Sequence, residues 1–223
     1  MCGRYTLATD PNTLATEFSI TGDPNLTQLE PSYNIAPSQP VPVVIQLPKQ
    51  GRTLMFMRWG LVPSWAKEVN TKFSMINARA ETLAEKPAYK QPFRHRRCII
   101  PADGFYEWKA NREGKVPYYV RMEHGTPFGM AGLWEKRGDL YSCTIITTEP
   151  NSLMKPIHDR MPAILEQDDY EKWLSPEITQ QRDVQSLLKP YSVGSMESWP
   201  VSKLVNSPTN NNASLIDKDE SYG

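Results

Sequence analysis

The chain has 223 residues, enough for one sizeable core, and its 39% hydrophobic and 10% aromatic content fits a folded soluble protein and excludes a disordered or membrane-spanning one. Lys plus Arg equals Asp plus Glu at 25 each, so the global basic excess that marks many nucleic-acid binders is missing. The three cysteines form no CxxC pair and the three histidines are scattered, which argues against a disulfide framework, a metal site or any cofactor.

Cys2 opens the chain in Met1-Cys2-Gly3-Arg4-Tyr5. Removal of Met1 would leave a 1,2-aminothiol, an amine with a reference pKa of about 8 beside a thiol of about 8.5. Such a pair matches an aldehyde: the amine condenses to an imine and the sulfur closes a five-membered thiazolidine, which neither serine nor lysine can form. The plain alternative is a small N-terminal residue with no role, and Cys2 alone does not decide between them.

Asp10-Pro11 before Leu14, Ala15 and Phe18 predicts a capped helix with proline in its first turn. Val43 to Leu47 and Thr53 to Trp59 predict two strands joined through Pro48-Lys49-Gln50-Gly51. Ala78 to Glu85 has helical composition, with Pro87 as its stop. Further strands are predicted at Arg97 to Ile100, Gly104 to Lys109, Tyr118 to Met122, Phe128 to Trp134 and Leu140 to Thr147, with Cys98 and Cys143 buried in them. Ser175-Pro176-Glu177 opens a predicted helix that carries Ile178, Val184, Leu187 and Leu188 and ends at Pro190. The polar residues 206–223 predict a disordered C-terminal tail after a domain of residues 1–205. The pattern is that of one compact α+β domain with a β-rich middle. No stretch reaches the roughly 20 apolar residues of a bilayer span and the start lacks a signal peptide's apolar run, so a cytoplasmic monomer with no membrane partner is expected.

Three segments concentrate polar residues of a chemical kind. In Pro101 to Lys109 strand alternation puts Phe105, Glu107 and Lys109 on one face, so Glu107 is either a carboxyl framed by aromatics and fit for general acid work or an exposed partner of a lysine. In Ile157-His158-Asp159-Arg160-Met161-Pro162 an imidazole lies beside a carboxylate and a guanidinium, suited to proton transfer and anion binding or to a structural role. Asn77, between Met75-Ile76 and Ala78-Arg79, is a hydrogen-bonding amide or a simple cap.

Taken in order, Met1 to Tyr5, Tyr33-Asn34-Ile35-Ala36-Pro37, Arg58-Trp59-Gly60-Leu61-Val62-Pro63, Ile76 to Thr82, Ala102 to Lys109 and His158 to Pro162 resemble the SOS-response-associated peptidase family, whose members shield and process abasic sites in single-stranded DNA. The resemblance runs to about Ser202, where Trp199 to Ser202 looks like the family's closing strand, and implies a mainly antiparallel, barrel-like β core flanked by short helices. It implies that Cys2 forms a covalent thiazolidine DNA–protein crosslink, a lyase-like chemistry of the DNA-damage response, with nucleoid association in a bacterium. Glu107 would then assist ring opening and serve the imine stage, His158 would shuttle protons, and Asn77 would orient the Cys2 terminus and the sugar. Arg4, Asn34, Trp59, Arg79 and Arg160 would make the DNA-binding groove, with the arginines on phosphates and neighbouring bases splayed either by stacking on Trp59 or by the Leu61 to Trp65 loop as a wedge. The alternative is a cysteine peptidase, at least one that removes its own Met1, with Cys2 as nucleophile, His158 as base and Asn77 as orienter.

Overall fold

The structure is a computed structural model that describes residues 2–48, 51–67, 75–112 and 114–222; Met1, and Lys49 and Gln50 of the expected connection between two strands, lie outside the described residues. Its strands are β1 Tyr5–Leu7, β2 Ser32–Ile35, β3 Pro40–Leu47, β4 Gly51–Trp59, β5 Asn77–Arg79, β6 Arg97–Ala102, β7 Gly104–Asn111, β8 Gly114–Met122, β9 Phe128–Arg137, β10 Leu140–Thr148, β11 Met161–Pro162, β12 Ile164–Leu165 and β13 Met196–Pro200. Its helices are α1 Pro11–Glu17, α2 Pro87–His95, α3 Tyr170–Leu174 and α4 Gln181–Gln185.

Two sheets share one core. In the larger, β10, β4, β3, β6 and β9 pair in turn, and β9 pairs back to β10, so the sheet closes into a barrel; only the β10–β4 junction of that ring is parallel. Closure removes free edges, which is why β6 and β10 are buried along nearly their whole length. Val43, Val44, Ile45, Ile99, Ile100, Ile145 and Ile146 are buried on the inner and outer faces of the barrel wall in turn, β-branched residues suited to a pleated surface covered on both sides. The smaller sheet runs β13-β8-β7-β1-β2. Tyr5 pairs with Phe105, and the Tyr106 N–H donates to the Arg4 carbonyl at 2.9 Å, so the first residues of the chain are drawn along β7 toward Glu107. Gly104 begins β7 because a Cβ there would come within 2.4 Å of the Tyr119 ring, whose hydroxyl meets Thr6 Oγ1 at 2.8 Å.

The α+β class and barrel-like core agree with the sequence, as do the Asp10 cap of α1 and the buried Cys98 and Cys143. Several elements differ. Ala78 to Glu85 is not a helix: β5 joins the barrel parallel to β10, with Asn77 opposite Ile145 and Arg79 opposite Thr147, followed by one 3-10 turn at Ala80–Thr82. Pro87 does not stop a helix but starts α2, where its missing N–H is no loss. The helix expected from Ser175 is reduced to α4, because the Ser175 and Ile178 carbonyls turn to the Arg97 guanidinium instead of continuing a helical ladder. The C-terminal segment is not disordered. Leu215 is buried, Trp199 Nε1 donates to the Ile216 carbonyl at 2.8 Å, and the Asn34 amide donates to the carbonyls of Val205, Ser207 and Asn210.

Arg97 ties this together. Its guanidinium donates to five carbonyls, those of Phe93, Arg94, Trp173, Ser175 and Ile178. Arg97→Lys removes the planar fork and strands buried acceptors, so the urea midpoint is expected to fall by an amount equal to about 2–4 kcal/mol, with the slope unchanged.

Candidate active site

Four segments distant in sequence meet beside the first residues. Cys2 is fully buried, and its carbonyl accepts from Asn77 Nδ2 at 2.8 Å. Asn77 is itself fixed: it begins β5, the Trp59 Nε1–H donates to the neighbouring Ile76 carbonyl at 3.0 Å, and the Tyr89 hydroxyl donates to the Asn77 carbonyl at 3.3 Å. Its Oδ1 is buried with no hydrogen-bond partner among the described residues, which leaves the Asn77 amide with acceptor capacity beside Cys2. Glu107 comes from the buried stretch of β7 and is 1% exposed, which removes the reading of an exposed strand glutamate. Its Oε2 lies 4.0 Å from His158 Nε2.

His158 reaches this point from the loop between β10 and β11. Asn151 shapes that loop, with Oδ1 accepting from the Met154 N–H at 3.0 Å and Nδ2 donating to the Tyr191 carbonyl at 2.9 Å, and the His158 N–H closes it onto the Met154 carbonyl. The loop borders an open cleft of about 560 Å³ lined by Glu149, Pro150, Lys155, Ile157, His158 and Asp159.

Electrostatics set the roles. Burial pushes the Cys2 thiol well above its usual value, and the nearby Glu107 carboxylate adds to the effect. The thiol is therefore a poorer nucleophile at neutral pH than its reference value implies and needs a base to take its proton. Burial also raises the Glu107 carboxyl, with His158 pulling the other way, so Glu107 can hold and return a proton closer to neutrality.

The expected DNA-binding residues separate into two groups. Arg79 is exposed on β5, two residues from Asn77. Arg160 instead makes a bidentate pair with Glu81 at 2.9 Å for each bond and donates to the Thr147 carbonyl. Burial pushes the Glu81 carboxyl up, but the Arg160 hydrogen bonds, a backbone hydrogen bond and the charges of Arg160 and Arg79 together hold it below its usual value. Arg4 is engaged with Asn34 Oδ1 at 2.8 Å and the Val205 carbonyl at 2.7 Å, and Asn34 is buried against the C-terminal segment. Trp59 is in the core, packed edge-on to Tyr5 with ring centroids 5.3 Å apart, and offers no face to a base. Trp65, by contrast, is 68% exposed. Sequence reasoning missed Glu81, Tyr89, Asn151 and Asp159 as site-forming residues; Glu81 and Asp159 lay inside the quoted motifs, where their charges beside Arg160 and His158 were the available signal.

Residues 1–208 match the sequence profile described as SOS response associated peptidase, or SRAP. The chain belongs to the SRAP family. Among its relatives is the abasic site processing protein YoaM of Bacillus subtilis, 47% identical over 225 residues that cover 98% of this chain and 99% of YoaM. The abasic site processing protein HMCES of Xenopus tropicalis is 34% identical over 224 residues, covering 85% of this chain and 66% of HMCES. A crystal structure of a Bacteroides thetaiotaomicron protein superposes with a TM-score of 0.87 at 28% identity, covering 98% of this chain and all of that one. The structural match thus runs beyond the 208 residues of the profile. Among the described residues, no helix is long and apolar enough to cross a membrane, and no group of three or more His, Cys, Asp or Glu side chains is arranged to hold a metal ion.

Proposed function

We propose that this chain processes abasic sites in single-stranded DNA by capturing their open-chain aldehyde on Cys2 after Met1 is removed. The observation that carries the reading is the meeting of Cys2, Asn77, Glu107 and His158, with the Asn77 amide on the Cys2 carbonyl and Glu107 facing His158 across 4.0 Å. The names of the relatives, abasic site processing proteins, support the substrate class.

The chemistry follows from the groups present. The freed amine adds to the aldehyde, and the protonated Glu107 carboxyl helps expel water to leave an imine. The Cys2 thiol, raised by burial, gives up its proton to Glu107 or His158 and the sulfur bonds to the imine carbon. One aldehyde and one aminothiol give one thiazolidine and one water. Asn77 contributes positioning: its Nδ2 holds the Cys2 carbonyl, and its Oδ1 is an acceptor that the freed amine would satisfy. Arg79 supplies a phosphate contact and Trp65 an exposed ring for stacking, while Arg4 and Arg160 act on the strand only after exchanging their present partners.

The family's description as a peptidase favours a second activity, removal of Met1 by the same Cys2 and His158 in a single turnover. Met1-free protein offered an abasic oligonucleotide, the undamaged oligonucleotide and a labelled peptide panel separates the readings. An SDS-resistant product with the abasic strand alone is expected; turnover of peptides without that product would favour the peptidase. Arg79→Ala is expected to weaken binding to undamaged single strands and to flatten its salt dependence by about one unit, leaving the thermal midpoint unchanged because the side chain is exposed. Fluorescence anisotropy at several salt concentrations reads both quantities.

A further inference from the structure

His158 Nδ1 is met by two groups with opposite demands. The Arg160 backbone N–H donates to it at 3.0 Å, which requires a bare Nδ1, while Asp159 Oδ1 lies 2.9 Å from the same atom and forms a hydrogen bond only if Nδ1 carries the proton. No single state of the ring satisfies both. With Nδ1 bare, the neutral ring carries its proton on Nε2, directed at Glu107, and can only donate there. With Nδ1–H donating to Asp159, Nε2 carries no proton and can accept one from the site, and the ring that results keeps both N–H groups facing carboxylates. The hydrogen bond made by one ring nitrogen thereby decides what the other can do.

We infer that Asp159 is a positioning residue that acts through His158, biasing the ring toward the form whose Nε2 accepts a proton from the site. Asp159 is 82% exposed on its side chain and lines the cleft, whereas Cys2 is fully buried, so Asp159 acts on the ring and not on the reacting atoms. Without it, Arg160's N–H is left to hold the ring as a donor, and the proton released by the Cys2 thiol falls to Glu107 instead of the ring.

This deepens the proposed crosslinking reaction and rests on it for its kinetic part, but the ring's tautomer is measurable without DNA. Imidazole ¹⁵N spectra of the wild type and of Asp159→Ala and Asp159→Glu, all at one pH, read the tautomer directly. A populated Nδ1–H form is expected in the wild type, its loss in Asp159→Ala and its recovery in Asp159→Glu. Single-turnover adduct formation on an abasic oligonucleotide is expected to slow about tenfold in Asp159→Ala and to recover in Asp159→Glu, with affinity for the undamaged strand unchanged. An unchanged tautomer ratio in Asp159→Ala overturns the inference whatever the rates do, as does a shifted ratio with wild-type crosslinking. If the wild type forms no adduct at all while the spectra shift as expected, the crosslinking reading fails and the control of the ring by Asp159 stands.

Discussion

Cys2→Ala and Cys2→Ser, each freed of Met1, are expected to give no heat- and SDS-stable adduct with an abasic strand, a loss of at least about a hundredfold in stable product. Both keep the terminal amine, so each still forms an imine that borohydride traps; what they lose is the sulfur that closes the ring. The position is fully buried, so folding has to be checked beside activity. Cys2→Ser puts a hydroxyl where a thiol was and is expected to lower stability by about 1–3 kcal/mol, whereas Cys2→Ala leaves only a small void. Equal loss of stable adduct in the two variants, against unequal melting, assigns the effect to sulfur chemistry. A stable adduct from Cys2→Ala at the wild-type yield would remove the thiazolidine step.

Glu107→Gln is expected to slow single-turnover adduct formation by roughly 10²- to 10⁴-fold, the range that positioned proton transfer contributes, while binding to undamaged strands persists. The wild-type rate should follow a bell-shaped pH profile. Its acidic limb belongs to the terminal amine and its alkaline limb to the Glu107 carboxyl, raised by burial, and the substitution should remove that second limb. The same burial has a stability counterpart. Because the folded carboxyl titrates above its unfolded value of about 4.3, the stability carried by its neutral form is complete below that pH and is lost as pH rises through the folded value. Glu107→Gln should therefore melt higher than the wild type near pH 8, with the gap narrowing near pH 4. Thermal denaturation at the two pH values checks the sign. A variant both slower and more stable marks a carboxyl kept buried for chemistry at the expense of stability.

Much of the barrel was legible from local pattern. The runs around Val43, Arg97 and Leu140 are apolar and β-branched over short lengths and the run from Phe128 is apolar, and that is what a strand buried on both faces requires. The misses have a common cause, tertiary partners that override local composition. Ala78 to Glu85 reads as helix until β10 offers Asn77, Ala78 and Arg79 a parallel ladder. The segment after Ser175 reads as helix until Arg97 claims its carbonyls. The Asn-rich tail reads as disordered because its own side chains are polar, yet Asn34 gives its backbone a buried partner.

The site was legible as chemistry but not as geometry. A cysteine that would become N-terminal, a glutamate among aromatics and a histidine between charged neighbours could each be picked out, and only the family resemblance joined them. Their meeting depends on the β1–β7 register, the β5–β10 register and the Asn151 turn, none of which leaves a periodic trace. The arginines were the least legible. Nothing in the sequence tells that Arg160 faces Glu81 and Arg4 faces Val205 while Arg79 points outward.

Intact-mass spectrometry of Met1-free protein mixed with an abasic oligonucleotide, without reductant and after heating, tests the capture of the aldehyde by Cys2 most directly. The expected species has the summed mass of protein and oligonucleotide less one water, and its digest carries the sugar on the peptide that begins at Cys2. Unmodified masses alone, a conjugate that appears only after borohydride reduction, or a sugar attached to any other peptide would contradict it.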